Sequence, residues 1–222
     1  MKAMENKNNM KTAGGLILIG GGGHCKSVIE ASLSAGDEPY GILDLPELRG
    51  SRILCCEVIG NDTDIPRLAA NPTNEFVVTV GSIEDSSLRR RLQESVENAG
   101  GRMAVIVASS ATVSRFASLG AGTVVLHHAS VNASACVGRG CIINTAANVE
   151  HDVTIGDFTH ISTGAMVNGG ARIGSDCFIG SGAVVRNGVS ICDGAVIGAG
   201  AVVCRDITEK GVYAGVPARK MH

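Results

Sequence analysis

A histidine followed directly by a carboxylate, His151-Asp152, sits in the string NTAANVEHDVTIGDFTHISTGA (Asn144–Ala165). Imidazole titrates near neutral pH, and an adjacent carboxylate raises its basicity and fixes its orientation. Such a pair can take a proton from an attacking amine or hydroxyl, as acyl transfer from a thioester requires. Gly169, eighteen residues on, could offer a backbone N–H to a developing oxyanion. A second candidate is LILIGGGGHCKSVIEA (Leu16–Ala31), where an apolar run leads into four glycines, a histidine and a helical pattern. A turn of this kind cradles phosphate with backbone N–H groups at a helix N-terminus. The dinucleotide fingerprint G-x-G-x-x-G fails at its last position, where Cys25 stands. A Walker-type loop fails at the same residue, although Lys26 and Ser27 would fit it. The turn therefore points to a phosphate-bearing ligand other than a redox cofactor.

The elements around the glycines alternate. LILIG (Leu16–Gly20) predicts a buried strand, His24–Ala35 a helix, YGILD (Tyr40–Asp44) a second strand and Ile53–Gly60 a weaker one. Asp64–Ala70 predicts a short helix stopped at Asn71-Pro72, and EFVVTVG (Glu75–Gly81) a strong strand. A longer helix follows, with Ser82 as its N-cap, Asp85 as an acidic capping-box partner and an end at Gly100-Gly101. This alternation predicts a small parallel, Rossmann-like α/β domain over 14–102, behind a flexible leader at 1–13.

After Gly101 helix signals vanish and a six-residue period appears. Stepping by six from Val107 to Val203 meets only Val, Ile or Leu, seventeen times without a break. The residue four positions after each is mostly Ala or Cys, and the residue directly after each inward one is often Gly. This period predicts a parallel β-helix over 103–206, with a tail at 207–222. About three hexads make one coil, the branched residue points inward, and the glycines tolerate the turns. Residues eighteen apart then stack on adjacent coils, so His151 lies against Gly169 and His160 against Ile142. Neither histidine is at an inward position, so both are expected to face solvent or a neighbouring subunit.

Composition narrows the function classes. Aromatic residues are 3% of the chain, Trp is absent, Gly numbers 30, and the formal net charge is −2. That balance argues against a nucleic-acid binder. No apolar run reaches membrane-spanning length, and the polar start is unlike a secretory signal. The eight cysteines form no C-x-x-C pair and read as reduced core residues of a cytoplasmic protein. His127, His128, His151 and His160 stand 1, 23 and 9 residues apart. No two are five or eighteen apart, so no metal is expected.

The hexads resemble those of the hexapeptide-repeat acyltransferases, whose fold is a left-handed parallel β-helix. The string from Asn144 is similar to a subfamily pattern, N-T-x-x-x-x-E-H-[DE]-x-x-I-G-x-F-x-H, and matches every named position. That subfamily contains the sialic-acid O-acetyltransferases (NeuD type) and the N-acetyltransferases of nucleotide-linked 4-amino-4,6-dideoxy sugars (PglD type). The resemblance implies His151 as general base, Asp152 as its carboxylate, and Asn144 as a substrate-placing residue. It implies that His160, Gly169, Ser181 and Ala199 meet acetyl-CoA. It implies a nucleotide-sugar site at Gly22, Gly23, His24, Asp44, Leu45 and Gly81. The ending KGVYAGVPARKM resembles the closing segment of these enzymes, where Lys210, Arg219 and Lys220 could meet CoA phosphates. A homotrimer with its CoA groove between adjacent prisms is implied as well. The expected activity is acetyl transfer to the 4-amino group of a UDP-linked amino-dideoxy sugar. Sialic-acid O-acetylation is the alternative, and a zinc-dependent hydratase on the same fold is a remote one.

Overall fold

The computed structural model describes residues 14–83 and 85–221; the predicted leader lies outside them. The first unit is a parallel sheet with one antiparallel edge. Strand β1 (Leu16–Ile19) lies between β2 (Pro39–Leu43) and β5 (Glu75–Val78). Beyond them lie β4 (Cys56–Gly60) with β3 (Arg52–Ile53) on one side and β6 (Arg102–Met103) on the other. Helix α1 (Gly23–Ala35) covers one face, while α2 (Ile65–Ala69) and α3 (Ser87–Asn98) cover the other. The Ile53–Gly60 stretch is a hairpin rather than one strand, turning at Leu54, which has φ 51°.

Helix α3 starts later than its sequence suggests. Ser86 is the N-cap, and Asp85 accepts from the backbone N–H and hydroxyl of Ser87. Ser82 is not a cap. Its carbonyl accepts from His160 and its hydroxyl meets Arg89, so it is committed to contacts with the second unit and the helix flank.

That second unit is a three-sided parallel β-helix. Seventeen two-residue strands run from β7 (Ile106–Val107) to β23 (Val202–Val203), and each ends on one of the seventeen hexad residues. Strands three apart pair in parallel at an eighteen-residue register, building three flat faces. From Val125 onward the inward residues are buried, with Ala129, Ala135, Cys141 and their equivalents packed beside them. Val107, Val113 and Leu119 are only half-buried because no coil stacks beneath them. A parallel β-helix with every backbone strand buried in a ladder suits such small and β-branched side chains.

The turn chemistry differs from the sequence expectation. The left-handed backbone conformation falls three residues after each inward residue from Leu119 to Ile197, at Asp152, Phe158, Gly164 and Gly170, for example. Glycines directly after the inward residue serve close stacking instead. A Cβ on Gly138 would stand 2.8 Å from the backbone nitrogen of Asp157 on the next coil.

One outer face of the prism is covered by the α/β unit. Its outward residues Ile106, Val124 and Ile142 are buried against α1 in a shared apolar cluster with Val28 and Ile29. Further along, α3 docks by polar contacts. Arg89, 3% exposed, donates to the carbonyls of Gly140 and Phe158. Arg90 meets Asp176 at 2.9 Å and lies 4.3 Å from the Phe158 ring centre. Phe158 is therefore buried under α3 and is not a candidate for contact between prisms; Met166 remains exposed. After β23 the chain adds β24 (Val212–Ala214) and β25 (Arg219–Lys220) to the covered face's sheet.

Candidate active site

Three corners separate the faces of the prism, and each carries its own column of residues at eighteen-residue spacing. His151 belongs to the column Ala133, His151, Gly169, Asn187, Arg205. The strand registers on either side fix this stacking. The turn at Glu150–Val153 lifts His151 out of the prism, and Asp152 takes the left-handed conformation there with φ 62°. Asx residues tolerate that region better than most side chains.

His151 Nδ1 lies 2.8 Å from Asp152 Oδ2, and both side chains are well exposed. The hydrogen bond to Asp152, with the charges of Asp152 and Glu150 adding, holds the imidazole above its ordinary pKa of 6.5. A proton on Nδ1 facing the carboxylate leaves Nε2 as the free acceptor. Nε2 faces Gly169: a Cβ built on that glycine would stand only 2.7 Å away. Gly169 thus leaves open space against the free Nε2.

Glu150 is a residue that the pattern contained but no role was read for. Its carboxylate accepts from Asn148 Nδ2 at 3.1 Å and Asn132 Nδ2 at 3.0 Å. Those two amides hold it below the usual carboxylate range, so it stays charged beside His151. Its signal in the sequence was the Asn132–Glu150 spacing of eighteen.

The other predicted residues gather elsewhere. His160 follows Ile142 on the covered face and is only 9% exposed, so it faces the α/β unit of its own chain and not solvent or a neighbour. Its Nδ1 lies 3.0 Å from the Ser82 carbonyl and its Nε2 3.0 Å from Asn144 Nδ2. Donation by the Asn144 amide fixes Nε2 as acceptor and Nδ1 as the protonated nitrogen. Burial, with the Arg89 charge adding, pushes His160 down to about 4, so the ring is neutral at physiological pH. The sequence signal for this placement was the apolar outward series Ile106, Val124, Ile142, which marks a covered face.

Gly81, Ser82, Ile83 and His160 line an open cavity of about 620 Å³. His24 lies next to Gly81, with its Cβ 3.6 Å from the position a Gly81 Cβ would take. Burial, then the charges of His160 and Arg89, push His24 down to about 3, and its Nε2 is buried without a partner. Ser181 and Ala199 are exposed and share the corner column of His127, Thr145 and Thr163; Ser181 Oγ meets Ser162 Oγ at 3.0 Å. Thus His151 stands at one edge of the β8 (Thr112–Val113) to β23 face, while Asn144, Ser181 and Ala199 stand at its opposite edge.

The glycine turn opens α1. Gly22 is its N-cap, no side chain caps it, and no acidic residue sits in the first turn. Gly22 and Gly23 are exposed with open space about them. The free N–H groups and helix dipole therefore face solvent at a strand end, an arrangement suited to phosphate. Asp44 anchors the turn, accepting from Gly21 N–H at 2.6 Å and Leu45 N–H at 2.7 Å. Beside it, Gly20, Leu45, Asn61, Asp62 and Arg91 help line a cavity of about 340 Å³ at the C-terminal ends of the strands. Ligands of open α/β sheets bind at such an edge. Asn61, Asp62 and Arg91 were not singled out in the sequence; Asn61-Asp62 directly follow β4, which was the available signal. Lys210 lies against Gly194, and Arg219 and Lys220 border a cavity of about 520 Å³ with Arg205. Among the described residues no cluster of three or more His, Cys, Asp or Glu could hold a metal ion.

Residues 15–96 match the PglD N-terminal domain family, and residues 170–205 match the bacterial transferase hexapeptide family. The acetyltransferase domain of PglB from Neisseria gonorrhoeae, solved with acetyl coenzyme A, is 35% identical with a TM-score of 0.88. The match covers 94% of this chain and 100% of that one. The chain belongs to the PglD-type hexapeptide-repeat acetyltransferases.

PerB from Caulobacter crescentus, solved with CoA and GDP-perosamine, is similar to this acetyltransferase at 34% identity and a TM-score of 0.87. There 94% of this chain and 98% of that chain are covered. WeeI from Acinetobacter baumannii shares the fold at 22% identity, with a TM-score of 0.82 over 93% of this chain and 99% of that one. No curated protein matches the acetyltransferase at a significant level. No described helix is long and apolar enough to cross a membrane.

Proposed function

We propose that this chain transfers the acetyl group of acetyl-CoA to the 4-amino group of a UDP-linked amino-dideoxy sugar, with His151 as general base. The observation that carries the reading is the free His151 Nε2 facing the Gly169 notch while Nδ1 is held by Asp152. His151 takes the amine proton as the nitrogen attacks the thioester carbonyl, and Asp152 and Glu150 stabilise the imidazolium that forms. The Gly169 N–H, which has no backbone partner among the described residues, offers a donor to the carbonyl oxygen. The open glycine turn at Gly22–His24, with Asp44, Leu45 and Gly81 beside it, holds the diphosphate of the sugar nucleotide. The bound acetyl-CoA of the Neisseria domain and the bound GDP-perosamine of the Caulobacter enzyme support both substrate classes.

The working unit in this reading is a homotrimer in the cytoplasm, where nucleotide sugar and acetyl-CoA meet. The separation of His151 from Asn144, Ser181 and Ala199 across one face supports it. A neighbouring prism set edge to edge would bring its second corner to this His151, and CoA would lie in the groove between them. Met166, 45% exposed at the centre of that face, supplies apolar contact area.

A thiol-release assay with acetyl-CoA tests the activity against UDP- and GDP-linked 4-amino sugars, CMP-sialic acid and free sialic acid. Release with a 4-amino sugar nucleotide is the expected result. Release with sialic acids alone would replace N-acetylation by O-acetylation. Sedimentation of the purified protein tests the trimer.

A further inference from the structure

The corner column that carries His151 and Gly169 continues to Asn187. Asn187 stands one coil beyond Gly169 and two beyond His151, so the glycine leaves a gap between two polar residues whose backbones are roughly two coil spacings apart, on the order of 10 Å. Both side chains lean into this gap. The point where a Gly169 Cβ would sit is 2.7 Å from His151 Nε2 and 3.4 Å from Asn187 Nδ2. A group entering the notch is therefore flanked by a proton acceptor on one side and an amide donor on the other. Among the described residues, the Asn187 side chain makes no hydrogen bond, whereas Asn132, Asn144, Asn148 and Asn168 on the same prism each bond within the chain. Its backbone is fixed by the ladder bond from Gly188 N–H to the Gly169 carbonyl, 3.0 Å.

We propose that Asn187 is a catalytic residue whose side-chain amide donates to the carbonyl oxygen of the acetyl thioester, opposite His151. The inference rests on the acetyl-transfer reading above and deepens it. The amine lone pair attacks the carbonyl carbon, and the C=O π pair moves onto oxygen. That oxygen accepts from Asn187 Nδ2–H and from Gly169 N–H, while His151 Nε2 takes the amine proton. Collapse re-forms C=O and breaks the C–S bond, and the departing thiolate receives the proton from His151. A donor aimed at charge that grows in the transition state raises kcat more than it tightens ground-state binding.

Steady-state kinetics of Asn187→Ala, Asn187→Ser and Asn187→Asp, each followed over pH, test this. Asn187 is exposed, so all three variants should melt like the wild type. Asn187→Ala should lose roughly tenfold to a hundredfold in kcat, with KM for the sugar nucleotide unchanged. Asn187→Ser keeps a donor and should recover part of that loss. Asn187→Asp should fall below Asn187→Ala, because a carboxylate repels the oxyanion, and its acidic limb should move to higher pH. A kcat for Asn187→Ala within twofold of wild type, or an Asn187→Asp no worse than Asn187→Ala, overturns the proposal. A wild type that releases no CoA with any amino-sugar acceptor overturns the acetyl-transfer reading and the proposal together; an active wild type insensitive to Asn187 overturns the proposal alone.

Discussion

Gly169 lies one coil beyond His151, and a methyl group added there would stand 2.7 Å from the imidazole Nε2. Space, not flexibility, is what this glycine provides. His151 is exposed, so its ring can swing aside and spare the fold. Gly169→Ala should therefore melt within about a degree of wild type while kcat falls roughly a hundredfold, since displacement of a reacting group by about 1 Å has that effect. Paired melting curves and CoA-release rates check this; an alanine variant with wild-type turnover would show that the notch is not where reaction occurs.

His151→Ala removes the proposed base, whose side chain is well exposed. CoA release in the presence of acceptor should fall by about two to four powers of ten. The oligomeric state and the melting temperature should match those of the wild type, which sedimentation and calorimetry measure.

The Asp152 bond raises the His151 pKa, so the protonated, inactive form persists above pH 6.5 in the wild type. The acidic limb of kcat/KM should accordingly lie above that value. Asp152→Asn removes the largest cause of the shift and should move the limb down toward 6.5, with a lower plateau because the ring loses its orientation. A limb that stays put would mean that another group titrates.

His24 and His160 are buried neutral beside Arg89, with pKa values lowered to about 3 and about 4. Between these values and the unfolded value of 6.5 the unfolded chain binds more protons than the folded one, so stability falls as pH falls through that window. The melting temperature should drop steadily from about pH 7 to pH 4. His160→Asn should flatten that slope between about pH 6.5 and pH 4, leaving the His24 part, at the cost of some stability at neutral pH. Melting curves at a series of pH values decide it; an unchanged slope in the variant would assign the acid sensitivity to other groups.

Most of this architecture was legible because a six-residue period leaves few folds open, and the seventeen strands fall on the predicted inward residues. The His151–Gly169 contact followed from the same period, since eighteen residues make one coil. What the period could not show was the environment of the outward side chains. His160 was read as facing solvent or a neighbour because the hexad gives direction from the prism axis only; what covers that face is decided by α1 and α3. Ser82 was misread as a cap because local capping chemistry was weighed without the long-range bonds to His160 and Arg89. Asn187 carries no local motif at all; only its place in the column of His151 distinguishes it.

Arg89 links the two units with its guanidinium on the carbonyls of Gly140 and Phe158, and burial pushes its pKa down to about 10, which leaves it charged at neutral pH. Arg89→Met should destabilise the protein by about 3 kcal/mol, because buried carbonyls lose a charged donor. Denaturant unfolding measures this, and a variant as stable as wild type would show that α3 docks through the Arg90–Asp176 pair instead.

Acetylation of a sugar amine with His151 as base is tested most directly by incubating the wild type and His151→Ala with acetyl-CoA and UDP-linked 4-amino-4,6-dideoxy sugar, then mapping the acetylated position by NMR. A 4-acetamido product is expected from the wild type and almost none from the variant in the same time. An acetyl group on a hydroxyl oxygen, or equal product from both proteins, would contradict it.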